Sequence, residues 1–66
     1  MNRTANTREP IFTVSVEGDR IKEVDPRYRA YLSGSRTIIK IPAVNKRRAK
    51  TVVYQMLANA VITDCC

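Results

Sequence analysis

The chain of 66 residues predicts an α+β domain: an antiparallel meander of three or four strands, then one long C-terminal helix packed on one sheet face. Three stretches carry that prediction. Ile11-Phe12-Thr13-Val14-Ser15-Val16 alternates apolar and polar side chains, the period of a half-buried strand. Arg36-Thr37-Ile38-Ile39-Lys40-Ile41 is rich in β-branched residues, which fit a pleated surface. From Asn45 to Ile62 the apolar residues fall at 49, 52, 53, 56, 57, 60 and 61, which is helical spacing.

In order, residues 1–10 are polar and aperiodic up to Pro10 and read as a flexible arm carrying Arg3 and Arg8. A single small domain is expected over 11–63. Glu17-Gly18-Asp19-Arg20 is a turn, with Gly18 where positive φ is tolerated. Arg20-Ile21-Lys22-Glu23-Val24 reads as a returning strand. Its register sets Glu23 against Val14 on the apolar face, so a bulge is needed near Glu23-Val24 or the strand ends there.

Residues 25–35 admit two readings. Asp25-Pro26 is a good helix start, with Tyr28, Tyr31 and Leu32 at helical spacing. As a strand, Tyr28, Ala30 and Leu32 alternate with Arg27, Arg29 and Tyr31. A turn at Ser33-Gly34-Ser35-Arg36 then sets Leu32, Ala30 and Tyr28 against Thr37, Ile39 and Ile41, all on one face. The strand is preferred for that register. Pro42 ends the next strand because it cannot donate to a ladder. Val44 is placed to staple the helix that Asn45 caps. The stripe Ala49, Val52, Val53, Met56 and Ala60 is expected to cover Val14, Val16, Ile21, Ile39 and Ile41. Residues 64–66 read as a frayed end.

Twelve Lys and Arg against six Asp and Glu leave a net charge of +6. That excess attracts polyanions: nucleic acid first, an anionic membrane surface or an acidic protein second. No apolar run approaches the ~18 residues that a membrane span requires. The amino end carries no hydrophobic signal core, and the adjacent Cys65 and Cys66 could close almost no loop. A cytoplasmic, reducing location is the expectation. There is no histidine, the commonest general base and a common metal ligand. Both glycines lie in turns rather than in a phosphate loop. Neither an enzyme nor a cofactor or metal site is expected.

Three sets of residues are candidates for binding. Lys46, Arg47, Arg48 and Lys50 crowd the first turn and a half of the helix, where the macrodipole is positive and favours acids. A phosphate brought there would relieve the conflict. Arg29, Tyr31, Arg36 and Lys40 form a second set, with Arg27 beside it. In the strand reading Arg29 and Lys40 lie opposite each other on the face away from the helix, shared with Tyr31 and Ile38. Arginine interleaved with tyrosine suits nucleic acid, because both stack on bases. Tyr54, Ala58 and Ile62 make a second helix stripe whose cover would be a second copy of the chain in a homodimer. The leading expectation is a small accessory or regulatory protein that binds duplex DNA or RNA through phosphates. The alternative is a protein-interaction module, or a homo-oligomeric structural subunit, using the Tyr54 stripe.

Asn45-Lys46-Arg47-Arg48-Ala49-Lys50 before an apolar helix resembles the Lys-Lys-x-Ala-Lys start of the last helix in double-stranded RNA-binding domains. Phe12-Thr13-Val14-Ser15-Val16 with its Gly18 turn is similar to that family's central strands. The resemblance implies phosphate contact by Lys46, Arg47 and Lys50 across a groove. The family's first helix has no counterpart in the residues before Ile11. The strand–strand–strand–helix order is also similar to the arm-binding domain of tyrosine recombinases, which implies use of the sheet on DNA.

Overall fold

The computed structural model describes residues 9–66, so all of the expected arm except Glu9 and Pro10 lies outside the described residues. The elements are β1 (Ile11–Glu17), β2 (Arg29–Ser33), β3 (Arg36–Pro42), α1 (Lys46–Met56) and β4 (Ile62–Cys65). They form an α+β fold: one antiparallel sheet in the order β2-β3-β1-β4, with α1 packed on one face.

β2 and β3 form the hairpin of the strand reading of 25–35, but the strand starts only at Arg29. The Tyr28 N–H closes a turn on the Asp25 carbonyl, and the expected pairing of Tyr28 with Ile41 is not made. Leu32 pairs with Thr37 and Ala30 with Ile39. The loop is Gly34-Ser35, and Gly34 sits at φ +62, a left-handed conformation that tight hairpins favour. β1 then pairs with β3, not with residues 20–24, which corrects the expected returning strand. Residues Ile21–Glu23 form a single 3-10 turn instead. Both edges of β1 are occupied by β3 and β4, which leaves no ladder for 20–24 to join. The Arg20 N–H instead donates to the hydroxyl of Thr37 at 2.8 Å, and that hydroxyl donates to the Gly18 carbonyl at 2.7 Å.

The core lies between sheet and helix. Val14, Val16, Ile39, Ile41, Ala43, Ala49, Val53 and Leu57 are buried together. Val52, Met56 and Ala60 pack on this cluster half-buried, and Ile21 is half-buried outside it. Leu57 lies outside the expected stripe and is the buried residue that closes its end.

The helix has 11 residues and is not the last element. Leu57 leaves helical geometry at φ −115° and ψ 106°, while its N–H still donates to the Val53 carbonyl. Asn59 takes φ +58, which asparagine tolerates better than most residues. The chain returns as β4 beside β1, with Val16 opposite Ile62 and Val14 opposite Cys65, and the register shifts between Ser15 and Val16. Residues 64–66 are therefore not frayed: Cys66 and Thr13 exchange both backbone hydrogen bonds at 2.9 Å. The outer backbone groups of β1 require partners, and the β-branched Val61-Ile62-Thr63 supplies a strand rather than more helix.

Two ion pairs stiffen the link between β1 and β2. Arg20 bonds Glu23 at 2.7 Å and also donates to the Ala58 carbonyl at 2.7 Å, which ties this link to the turn after the helix. Arg27 bonds Asp25 at 3.0 Å. Hydrogen bonds from Arg20 hold the Glu23 carboxyl below its ordinary value of 4.5; partial desolvation opposes this and charge attraction adds to it. Hydrogen bonds from the Arg27 side chain and backbone do the same for Asp25, ordinarily 3.8. A carboxyl lowered on folding binds its proton more readily in the unfolded chain, so its contribution holds above the unfolded value and fades as pH falls through the folded one. The urea midpoint is expected to fall on acidification below 4.5, and Glu23→Gln to shrink that decline. An identical acid limb in the variant would show that the pair contributes nothing.

Candidate nucleic-acid interface

The helix start is capped as its sequence implies. Asn45 is extended at φ −158°, and its side chain accepts from the Arg48 N–H at 2.8 Å. A cap of this kind is worth about 1 kcal/mol. Lys46, Arg47, Arg48 and Lys50 are all exposed, and the first turn holds no acid to offset them. Among the described residues the ion pairs are Arg20–Glu23 and Arg27–Asp25, so these four cations stand without an acidic partner.

The second set is assembled by strand register. On the face away from α1, Arg29, Lys40 and Thr13 form one row across β2, β3 and β1. Tyr31, Ile38, Ser15 and, on β4, Asp64 form the next. Ser33, Arg36 and Glu17 form the third. Tyr31 is 51% exposed beside Ile38, which is only 8% exposed. The Lys40 ammonium donates to the Thr13 hydroxyl at 2.7 Å, which holds its charge over the sheet. An open depression is lined by Tyr28, Arg29, Ala30, Tyr31 and Lys40. Arg27 is drawn out of this set by Asp25, and its guanidinium lies 5.8 Å from the centre of the Tyr28 ring.

The structure thus brings Arg29, Tyr31, Arg36 and Lys40 onto one face and puts the helix start on the other layer. The two sets share an end of the sheet: β3 finishes at Pro42, α1 begins at Lys46, and Arg29 opens β2 beside Lys40. Arg36 lies at the opposite end, by the hairpin loop.

The third set does not exist as a helix edge. Tyr54 is on α1 and 54% exposed, Ala58 is in the turn after it, and Ile62 is half-buried in β4. A stripe extrapolated along helical spacing dissolves once the helix stops at Met56. Sequence reasoning also missed Thr13 as the anchor of Lys40, and Glu17 and Asp64 as acids on the open face. No local signal identifies them, because the β1–β3 and β1–β4 pairings place them there.

No family model matches the chain, and neither the curated proteins nor the solved structures provide a match. The resemblance to double-stranded RNA-binding domains therefore stands on its local residues, and β4 departs from an order in which the helix comes last. The fold and the two surfaces define the class: a small basic α+β protein with one bare, cation-bearing sheet face. Among the described residues no helix is long and apolar enough to cross a membrane.

Proposed function

We propose that this protein binds nucleic acid through its phosphate backbone, as a non-catalytic accessory or regulatory factor. One observation carries the reading: Lys46, Arg47, Arg48 and Lys50 are exposed at one helix start, and no acid among the described residues balances them. Cations held this way contact phosphates and supply affinity without reading bases. Asn45 takes the Arg48 N–H, and the remaining N–H groups of the first turn favour an anion at the same end as these charges. Duplex DNA or RNA offers the regular rows of phosphates that two or three of these side chains could meet together.

Fluorescence anisotropy with a labelled duplex tests this. Affinity should fall steeply as salt rises, and every phosphate that a variant no longer neutralises should remove about 0.9 from the slope of log K against log salt. The variant Lys46→Ala/Arg47→Ala/Lys50→Ala should bind more weakly at low salt and with a shallower slope. Undetectable duplex binding at low salt, or an unchanged slope in the variant, would overturn the proposal.

A further inference from the structure

We infer that the bare face of β2 and β3 is a second, separate site that takes a single-stranded polynucleotide, with a base stacked on Tyr31 and its flanking phosphates on Arg29, Lys40 and Arg36. The inference extends the nucleic-acid reading to a different surface and a different form of ligand.

The face has the parts that such a ligand needs. Tyr31 presents an exposed ring, and the neighbouring Ile38 is an apolar floor with almost no exposure of its own. Stacking on an aromatic ring is open to any base whose face is free, which excludes the interior of a duplex and favours an unpaired strand. Cations stand on both sides of the ring along the strands. Arg29 and Lys40 form the row toward one end of the hairpin, and Arg36 forms the row toward its loop. From Arg36 to Lys40 along β3 is about 13 Å, set by the strand rise. A backbone crossing the ring therefore meets positive charge before and after the stacked base.

The rest of the face narrows the choice of path. Glu17 on β1 lies opposite Arg36 in the β1–β3 register, with no ion pair between them among the described residues, and Asp64 lies on β4 in the row of Ser15. These acids repel phosphate from the β1–β4 half and confine the strand to the β2–β3 half. Lys40 is held in place by Thr13, so less side-chain freedom disappears when a phosphate arrives. The open depression beside Arg29, Tyr31 and Lys40 gives the flanking nucleotide room.

The test uses short labelled oligothymidylate and oligouridylate, with a duplex as comparison. Tyr31→Ala should weaken single-strand binding about tenfold, the scale of one stacked base, and Tyr31→Phe should retain it. Arg36→Glu, which leaves the ring in place, should weaken it as well. Tyr54→Ala, a tyrosine of similar exposure on α1, should leave it unchanged. Because Tyr31→Ala alters an edge strand, amide chemical shifts of the unsubstituted protein provide a second readout: oligothymidylate should move signals in β2 and β3 and spare β4. Preference between the two oligonucleotides identifies DNA or RNA as the source of the strand. Equal losses in Tyr31→Phe and Tyr31→Ala, or shifts confined to α1, would overturn the stacking site. If Lys46→Ala/Arg47→Ala/Lys50→Ala abolishes single-strand and duplex binding together, the sheet site falls and the helix-start reading stands. If duplex binding is absent while single-strand binding follows Tyr31, the helix-start reading falls and the sheet site stands.

Discussion

Leu57→Ala is expected to cost about 2–5 kcal/mol of folding stability, the range for deleting a buried leucine side chain. Leu57 is fully buried in the cluster with Val14, Val16, Ile39 and Val53, and it stands at the point where the chain leaves α1. Its loss would open a cavity between sheet and helix, and it would loosen the turn that delivers β4 to β1. A domain this small holds only several kcal/mol in all, at about 0.05–0.15 kcal/mol per residue. A substantial unfolded population at room temperature is therefore the expected result. Urea denaturation followed by circular dichroism measures it. Val52→Ala, at a half-buried position on the same helix, should shift the midpoint far less. Equal shifts for the two variants would mean that Leu57 is not the keystone that its burial implies.

Thr37→Val should lower stability by about 1–3 kcal/mol, although it keeps the shape of the side chain and raises its apolar character. On burial alone valine would be favoured at a fully buried strand position. The hydroxyl decides the sign. It donates to the Gly18 carbonyl and accepts from the Arg20 N–H, so one group satisfies both ends of the β1 turn. Valine would leave that donor and that acceptor without partners in a partly buried site. Each kcal/mol of destabilisation moves the melting temperature by about 4–8 °C in a domain of this size. Thr37→Ser should retain most of the stability. A valine variant as stable as the parent would mean that water replaces the hydroxyl at no cost.

Much of the fold is legible locally because its signals lie within a few residues. Alternation marks β1, β-branched residues mark β3, and Asn45 marks the helix start. The strand reading of 25–35 rests on a register that keeps Ala30 and Leu32 on the apolar face, and the observed hairpin has that register. The face bearing Arg29, Tyr31 and Lys40 follows from the same alternation. The returning strand at 20–24 reads wrongly because a plausible hairpin turn does not establish that β1 lacks other partners. The helix reads as too long because Val61 and Ile62 continue a helical spacing while also fitting a strand.

Taken alone, the sequence determines an α+β composition, the places where β1, β3 and α1 begin, and an excess of positive charge at the helix start. Each depends on short-range periodicity, capping or charge, which act between near neighbours along the chain. Tertiary structure decides that β1 lies between β3 and β4, that α1 stops at Met56, and that the two cation sets occupy opposite faces. These depend on which segment satisfies the backbone groups along both sides of β1. That competition joins residues as far apart as Thr13 and Cys66, beyond the reach of any local pattern.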